Sequence, residues 1–310
     1  MTLKILFDGG ADRWPDYRDP LTAALAAAGI DAEIRLDWPP AEVDYIIYAP
    51  RDTPTDFSPF TRAKAVLNLW AGVEKITGNP TLTQPLTRMV DTGLTEGMVE
   101  YVTGHVLRHH LGMDAHIVNP DHTWHWAPPP LARNRPVTVL GLGELGSACA
   151  RALAALNFPV TGWSRSQKDI EGVTCLSGDD GLARALSTAE ILVLLLPDTP
   201  ATTNLMDADR LAALPEGAVI VNPGRGPLID DDALIAALDR GHVGHATLDV
   251  FRVEPLPADH PFWAHPKVTI TPHVASETRA DTASEVVAEN IRRSEAGEPL
   301  LFRVDRDAGY

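Results

Sequence analysis

The segment "VTVLGLGELGSACARALAALNF", residues 137 to 158, constrains this chain more than any other. An apolar run reads as a strand, a glycine-rich turn follows at once, and a helical pattern follows the turn. Gly141, Gly143 and Gly146 make a GxGxxG arrangement. The first glycine permits a tight turn, the second lets a pyrophosphate approach the backbone, and the third allows close helix–strand packing. The helix start offers unpaired N–H groups and a positive dipole end to an anion. A chain with this unit is built around parallel strands, and dinucleotide binding is the function it points to. Leu142, Glu144 and Leu145 lie within the same turn and join the three glycines as candidate cofactor contacts.

The rest of the chain agrees. After the turn come further strand candidates, "PVTGW", "AEILVLLLP", "GAVIVNPG", "HATLDV" and "VTITPH", with helical segments between most of them. That alternation describes an α/β protein with a doubly wound parallel sheet. Before the turn, "LKILF", "DAEIRLDW", "VDYIIYAP" and "AKAVLNLW" read as strands of a first, smaller α/β domain, and "LTAALAAAG" as a helix stopped by Gly29. Residues 92 to 118 read as one long helix, and "NPDHTWHWAPPPLARNRP" as an irregular arm. At roughly 150 residues per domain, 310 residues suit two domains, with a cleft between them. A last helix from about Thr278 to Ala296 leads to a tail that could pack back on the first domain. The chain is expected to cross between domains near Thr92 and near Ala275.

The charge balance excludes some functions. Net charge is -16, from 26 basic and 42 acidic residues, with no basic stripe, which argues against nucleic-acid binding. No run approaches the ~18 apolar residues of a membrane-crossing helix, and the start has no signal-peptide pattern. Cys149 and Cys175 are the only cysteines and form no CxxC, which points to the reducing cytoplasm. His105 and His109 are spaced i, i+4, with His110, His122 and His125 nearby, but no HExxH frame accompanies them. No metal is expected.

Four stretches carry the chemistry. "GWSRSQK" stands after the second strand of the nucleotide unit, where an aspartate or glutamate would hold the ribose of NAD. Ser164, Arg165, Ser166 and Lys168 stand there instead, a set suited to the 2′-phosphate of NADPH. NADPH is therefore the preferred cofactor, with NADH possible. The alternative is that Arg165 and Lys168 decorate a solvated loop. "VNPGRG" presents Arg225, "LDVFRVEPLP" presents Asp249 and Glu254, and "TITPHVAS" presents His273, each just past a strand at the sheet's carboxyl edge. Arginine, carboxylate and histidine beside a nicotinamide fit hydride transfer to a 2-keto acid. Arg225 would bind and polarise the substrate, His273 would donate the proton, and Glu254 would keep the imidazole charged. Singly, each has a structural explanation; in this order and setting, catalysis explains them together.

These motifs, with "LLLPDTPATTN" and "VNPGRGPLIDDDALIAALDRG", resemble the D-isomer-specific 2-hydroxyacid dehydrogenase family over nearly the whole chain. "TRMVDTGLTEGMVEY", "GWSRSQK", "HPKVTITPHVA" and "VDRDAGY" most resemble its A-type glyoxylate/hydroxypyruvate reductases. The resemblance implies a Rossmann domain (93–276) inserted in a smaller flavodoxin-like substrate domain (1–92 with 277–310), and a homodimer formed through the arm. It implies that Arg225, Glu254 and His273 are catalytic and that Asp249 meets the nicotinamide amide. It implies cofactor contacts at Leu196, Pro197, Thr203, Pro223 and Ala275. It places the substrate carboxylate on "WAGVE", at Trp70, Ala71, Gly72 and Val73. Reduction of glyoxylate and hydroxypyruvate is the activity implied. Pyruvate or phenylpyruvate as substrates, and a dinucleotide-sensing corepressor without turnover, are the alternatives. Formate dehydrogenase is disfavoured, since that relative carries glutamine at the position of Glu254. Tyr48, Trp70, Trp124 and Trp126 either shape a pocket or pack.

Overall fold

The computed structural model describes residues 2–51, 55–124, 126–306 and 308–309. His125, named among the histidines above, lies outside the described residues. The chain divides into two compact units, Met1–Leu94 with Glu277–Tyr310, and Thr95–Ser276.

The smaller unit holds strands β1 (Leu3–Asp8), β2 (Ala32–Arg35), β3 (Tyr45–Tyr48), β4 (Ala65–Asn68) and β5 (Leu86–Thr87). All are parallel, in the order β2-β1-β3-β4-β5, the flavodoxin-like arrangement. Side chains alternate across a strand, so both faces of a covered parallel sheet must be apolar. Ile5, Phe7, Tyr45, Ile47 and Leu67 face helices α1 (Trp14–Ala27) and α9 (Ala280–Glu295). Leu6, Ile46, Tyr48 and Val66 face the opposite layer with Trp38, Phe57, Ile76 and Leu82. Tyr48 is thus a packing residue, edge-on to Phe57 at 5.5 Å. The chain's last segment belongs here. The Val304 N–H donates to Leu86 and the Arg88 N–H to Phe302, which ties the tail to β5.

The larger unit contains helices α3 (Thr92–His110, its first turn preceding the boundary), α4 (Asp114–Ile117), α5 (Glu144–Ala155), α6 (Gly178–Ser187), α7 (Ala208–Ala212) and α8 (Asp231–Asp239); α2 (Glu74–Thr77) is a short turn of the smaller one. Its strands are β6 (Val137–Leu140), β7 (Val160–Trp163), β8 (Val173–Leu176), β9 (Ile191–Leu194), β10 (Ala218–Asn222), β11 (Val243–Leu248) and β12 (Val268–Ile270). They form one parallel sheet in the order β12-β11-β10-β9-β6-β7-β8. Val137, Val139 and Val193 pack on α3 and α5; Leu140, Leu194 and Ile220 pack on α6 and α8. The strand order reverses between β6 and β9, which is where a Rossmann sheet opens a crevice at its carboxyl edge.

The elements depart from the sequence reading in three places. The helix read over 92 to 118 is two helices, because α3 stops at a left-handed Gly112 (φ 62°). The Met113 N–H then reaches back to the Arg108 carbonyl, which seals the helix end. Helix α1 starts at Trp14, seven residues before the pattern recognised at Leu21, and runs through Pro20. Proline costs a helical hydrogen bond, but Tyr17, Leu21 and Leu25 line one buried stripe that holds the helix together. Strands β5 and β8 went unread. β8 is a half-exposed sheet edge of four residues, too short and too mixed for a periodicity.

Candidate active site

Every cofactor candidate lies just past a strand of the larger sheet, on its carboxyl edge. Gly141 to Gly146 follow β6, Ser164 to Lys168 follow β7, and Leu196, Pro197 and Thr203 follow β9. Pro223 follows β10, Asp249 follows β11 and Ala275 follows β12. The glycine turn is tightly built. A Cβ on Gly146 would stand 1.7 Å from the Gly141 carbonyl oxygen, so only glycine lets α5 start this close to the turn. A Cβ on Gly143 would meet nothing within 4 Å. Gly143 is also the N-cap of α5, and no side chain caps that helix start. Open space in front of uncapped N–H groups fits the pyrophosphate of a dinucleotide.

The loop after β7 has the expected basic residue. Arg165, Ser166 and Lys168 are exposed. Ser164 is buried and its hydroxyl donates to the Ser166 carbonyl at 2.8 Å, which closes the turn. Thr203 Oγ1 lies 2.9 Å from both Asp198 Oδ1 and the Thr199 carbonyl.

Arg225, Glu254 and His273 come from the ends of three adjacent strands, β10, β11 and β12. His273 Nδ1 and Glu254 Oε2 are 2.7 Å apart, and Glu254 Oε1 accepts the Phe251 N–H at 2.8 Å. The Arg225 loop reaches this pair because Gly226 has no side chain: a Cβ there would stand 2.1 Å from the Phe251 carbonyl carbon. The hydrogen bond that His273 donates to Glu254 raises the His273 pKa above the ordinary histidine range, against desolvation and the Arg225 charge. Burial works against ionisation of Glu254, but the His273 and Phe251 hydrogen bonds outweigh it and lower its pKa. Both shifts favour the charged pair. His273 adopts a left-handed backbone (φ 55°), which costs a non-glycine residue about 1–2 kcal/mol and so must be imposed by its surroundings. Asp249 is fully buried, with both carboxylate oxygens already accepting hydrogen bonds.

In the smaller unit the loop at 70 to 73 follows β4. Asn68, at the end of that strand, donates from Nδ2 to the carbonyls of Trp70 (2.7 Å) and Gly72 (3.1 Å). In trans peptides the following N–H groups, those of Ala71 and Val73, then point away from Asn68. The Arg13 guanidinium lies 5.7 Å from the centre of the Trp70 ring.

Comparison with known proteins identifies the family. The family model for the NAD binding domain of D-isomer specific 2-hydroxyacid dehydrogenases matches residues 105–275. A D-isomer specific 2-hydroxyacid dehydrogenase from Xanthobacter autotrophicus Py2, solved in complex with NADPH and MES, is 41% identical. Its TM-score is 0.93, with all of both chains covered. The chain belongs to the D-isomer specific 2-hydroxyacid dehydrogenases. Two other solved structures also align over the full length of both chains. An NADPH-dependent glyoxylate/hydroxypyruvate reductase from Sinorhizobium meliloti, solved with NADP and sulfate, is 34% identical with a TM-score of 0.86. A probable 2-hydroxyacid dehydrogenase from Rhizobium etli CFN 42, solved with NADP, HEPES and L(+)-tartaric acid, is 33% identical with a TM-score of 0.87.

Two residues of this dehydrogenase escaped the sequence reading. Asn222, at the end of β10, donates from Nδ2 to the Arg225 carbonyl at 2.9 Å and accepts the Gly224 N–H at 3.1 Å. It braces the arginine loop as Asn68 braces the loop at 70 to 73. Both are 1% exposed. Their signal was an amide ending an apolar strand, "AVLN" and "AVIVN", where burial demands hydrogen-bond partners. The aromatics of the arm are far from buried in the single chain: Trp124 is 91% and Trp126 81% exposed. His109 Nε2 is 2.8 Å from Thr247 Oγ1, and His245 lies beside it. Among the described residues no three histidine, cysteine or acidic side chains converge as metal ligands would. No helix among them is long and apolar enough to cross a membrane.

Proposed function

We propose that this dehydrogenase is an NADPH-dependent reductase of small 2-keto acids, glyoxylate and hydroxypyruvate foremost. The observation that carries the reading is the 2.7 Å His273–Glu254 pair at the sheet edge beside the Arg225 loop. When bound, NADPH supplies the hydride. Arg225 binds the 2-keto acid and draws electron density toward the carbonyl oxygen. His273, protonated on both nitrogens, donates its Nε2 proton to that oxygen as negative charge develops there. Glu254 holds Nδ1–H throughout, so the neutral tautomer left behind is already hydrogen-bonded. Backbone N–H groups of Ala71, Gly72 and Val73, beside Trp70, receive the substrate carboxylate.

The glycine turn and the α5 N-terminus would hold the pyrophosphate. Arg165, with Ser164, Ser166 and Lys168, would hold the 2′-phosphate. Leu196, Pro197, Thr203 and Pro223 would line the path to the nicotinamide, which Asp249 and Ala275 would meet. The relatives solved with NADPH or NADP support this cofactor. The substrate assignment leans on the Sinorhizobium reductase. The exposed Trp124, Trp126 and Leu131 of the arm are proposed to be covered in a homodimer.

NADPH consumption, followed by its near-ultraviolet absorbance, tests the reading against a panel of 2-keto acids. Fast turnover of glyoxylate or hydroxypyruvate is expected, and His273→Gln and Arg225→Ala should abolish it while keeping NADPH binding. Preference for pyruvate or phenylpyruvate would overturn the substrate assignment. Tight NADPH binding with no turnover of any 2-keto acid would overturn the enzymatic one.

A further inference from the structure

We propose that Thr271, braced by Tyr101, is the positioning residue that holds His273 in its reactive geometry, acting through the Asp249 carboxylate. The proposal rests on the reading of His273 as proton donor.

The left-handed backbone of His273 persists only if its surroundings enforce it. The enforcement comes from one residue. The Asp249 carbonyl accepts the His273 N–H at 2.8 Å. Asp249 Oδ1 accepts the Val274 N–H at 2.9 Å, and Oδ2 accepts the Ala275 N–H at 2.9 Å. Three successive amides of the histidine turn therefore converge on Asp249. The Asp249 N–H donates to the Asn222 carbonyl at 3.1 Å, and the Asp249 carboxylate is held by Thr271, whose Oγ1 lies 2.6 Å from Oδ1. β11 and β12 are neighbours with Leu248 opposite Ile270, so the residues that follow them meet side by side.

Proton bookkeeping orders the network. The carboxylate accepts only, so the Thr271 hydroxyl gives its one proton to Asp249. Tyr101 Oη, 2.7 Å from Thr271 Oγ1, must then be the donor to it. Burial pushes the Tyr101 phenol above its ordinary pKa, which keeps that proton in place. Tyr101 is on α3. The same helix meets the far end of the turn four residues earlier, where a Cβ on Gly97 would come 2.9 Å from Ser276 Oγ. The turn thus meets α3 at both ends, by a hydrogen bond at Tyr101 and by close approach at Gly97. His273 is held twice, at its backbone through Asp249 and at Nδ1 by Glu254. Glu254 sets the charge of the ring, and the Tyr101–Thr271–Asp249 chain sets where the ring stands.

Thr271→Val tests this, since it keeps the branched shape and removes only the hydroxyl. The expected result is a fall in kcat of as much as about 100-fold from a misplaced donor, larger than any change in KM for NADPH. Thr271→Ser should recover most of the rate, and Tyr101→Phe should be intermediate. A second readout needs no turnover. In protein with 15N-labelled histidine, the His273 Nδ1–H signal, identified by its loss in His273→Gln, should be downfield in wild type and in Thr271→Ser. It should be broadened or lost in Thr271→Val. Wild-type kcat and an unchanged Nδ1–H signal in Thr271→Val would overturn the proposal, as would a Ser variant no better than Val. If Thr271→Val does not fold, Tyr101→Phe decides, and wild-type behaviour there overturns the proposal. If wild type reduces no 2-keto acid, the functional reading fails, and the Nδ1–H signal still decides the positioning role.

Discussion

Replacing Arg165 with alanine removes one cation from the loop after β7 and should turn a cofactor preference into near indifference. The side chain is exposed, so its attraction to a phosphate is weakened by water. Two unit charges 4 Å apart attract by about 1 kcal/mol in water and about 4 kcal/mol at a protein surface. The net contribution of a hydrogen bond to a charged group is about 1.5–3 kcal/mol. For an exposed arginine the lower half of that range applies, roughly a 10- to 40-fold weakening of NADPH. NADH has no 2′-phosphate, so its affinity should hold. Titration of wild type and Arg165→Ala with each cofactor, by calorimetry or tryptophan fluorescence, measures the difference. The screening length is about 8 Å at physiological ionic strength and about 3 Å at 1 M, so high salt should shrink the wild-type preference more than the variant's, which keeps only Lys168. Equal loss for both cofactors, or no loss for either, would refute the phosphate role and make Arg165 a loop decoration.

Glu254 raises the pKa of His273, so the imidazolium survives above the ordinary histidine range and reduction slows as pH rises through the raised value. Glu254→Gln should therefore shift the alkaline limb of kcat to lower pH; a limb that stays put would contradict the pairing. Burial pushes His109 down to about 3 from an ordinary 6.5. The unfolded chain takes up that proton first, so stability should fall as pH drops from about 6.5 toward 3, and urea melts of His109→Gln should show a shallower loss. Gly146→Ala places a Cβ against the Gly141 carbonyl, a backbone group that cannot swing aside as a flexible side chain would. It should destabilise the fold by about 1–3 kcal/mol and abolish cofactor binding, seen as a lower melting temperature that NADPH no longer raises.

Much of the architecture was legible because it is written in short range. A strand, a glycine turn and a helix succeed one another within 19 residues from Val137 to Ala155, and the ends of β7, β10, β11 and β12 are each followed by a reactive side chain. The break at Gly112 was not legible, since both flanking segments are helical in pattern and only the glycine's left-handed backbone separates them. Nor was the stretch of α1 before Leu21, where Pro20 argues locally against helix and a buried stripe overrides it.

The sequence by itself determined which residue types would stand at the carboxyl edge: Gly143 before a helix, Arg165 in place of an acid, and Arg225, Glu254 and His273 past successive strands. Only the tertiary structure decided that β10, β11 and β12 lie next to one another, which joins His273 to Glu254 across 19 residues of chain. It also decided that Tyr101 would meet Thr271 across 170. Local periodicity reports whether a segment is strand or helix and which face is apolar. It does not report strand order, and a hydrogen bond 2.7 Å long between distant residues exists only once that order is set.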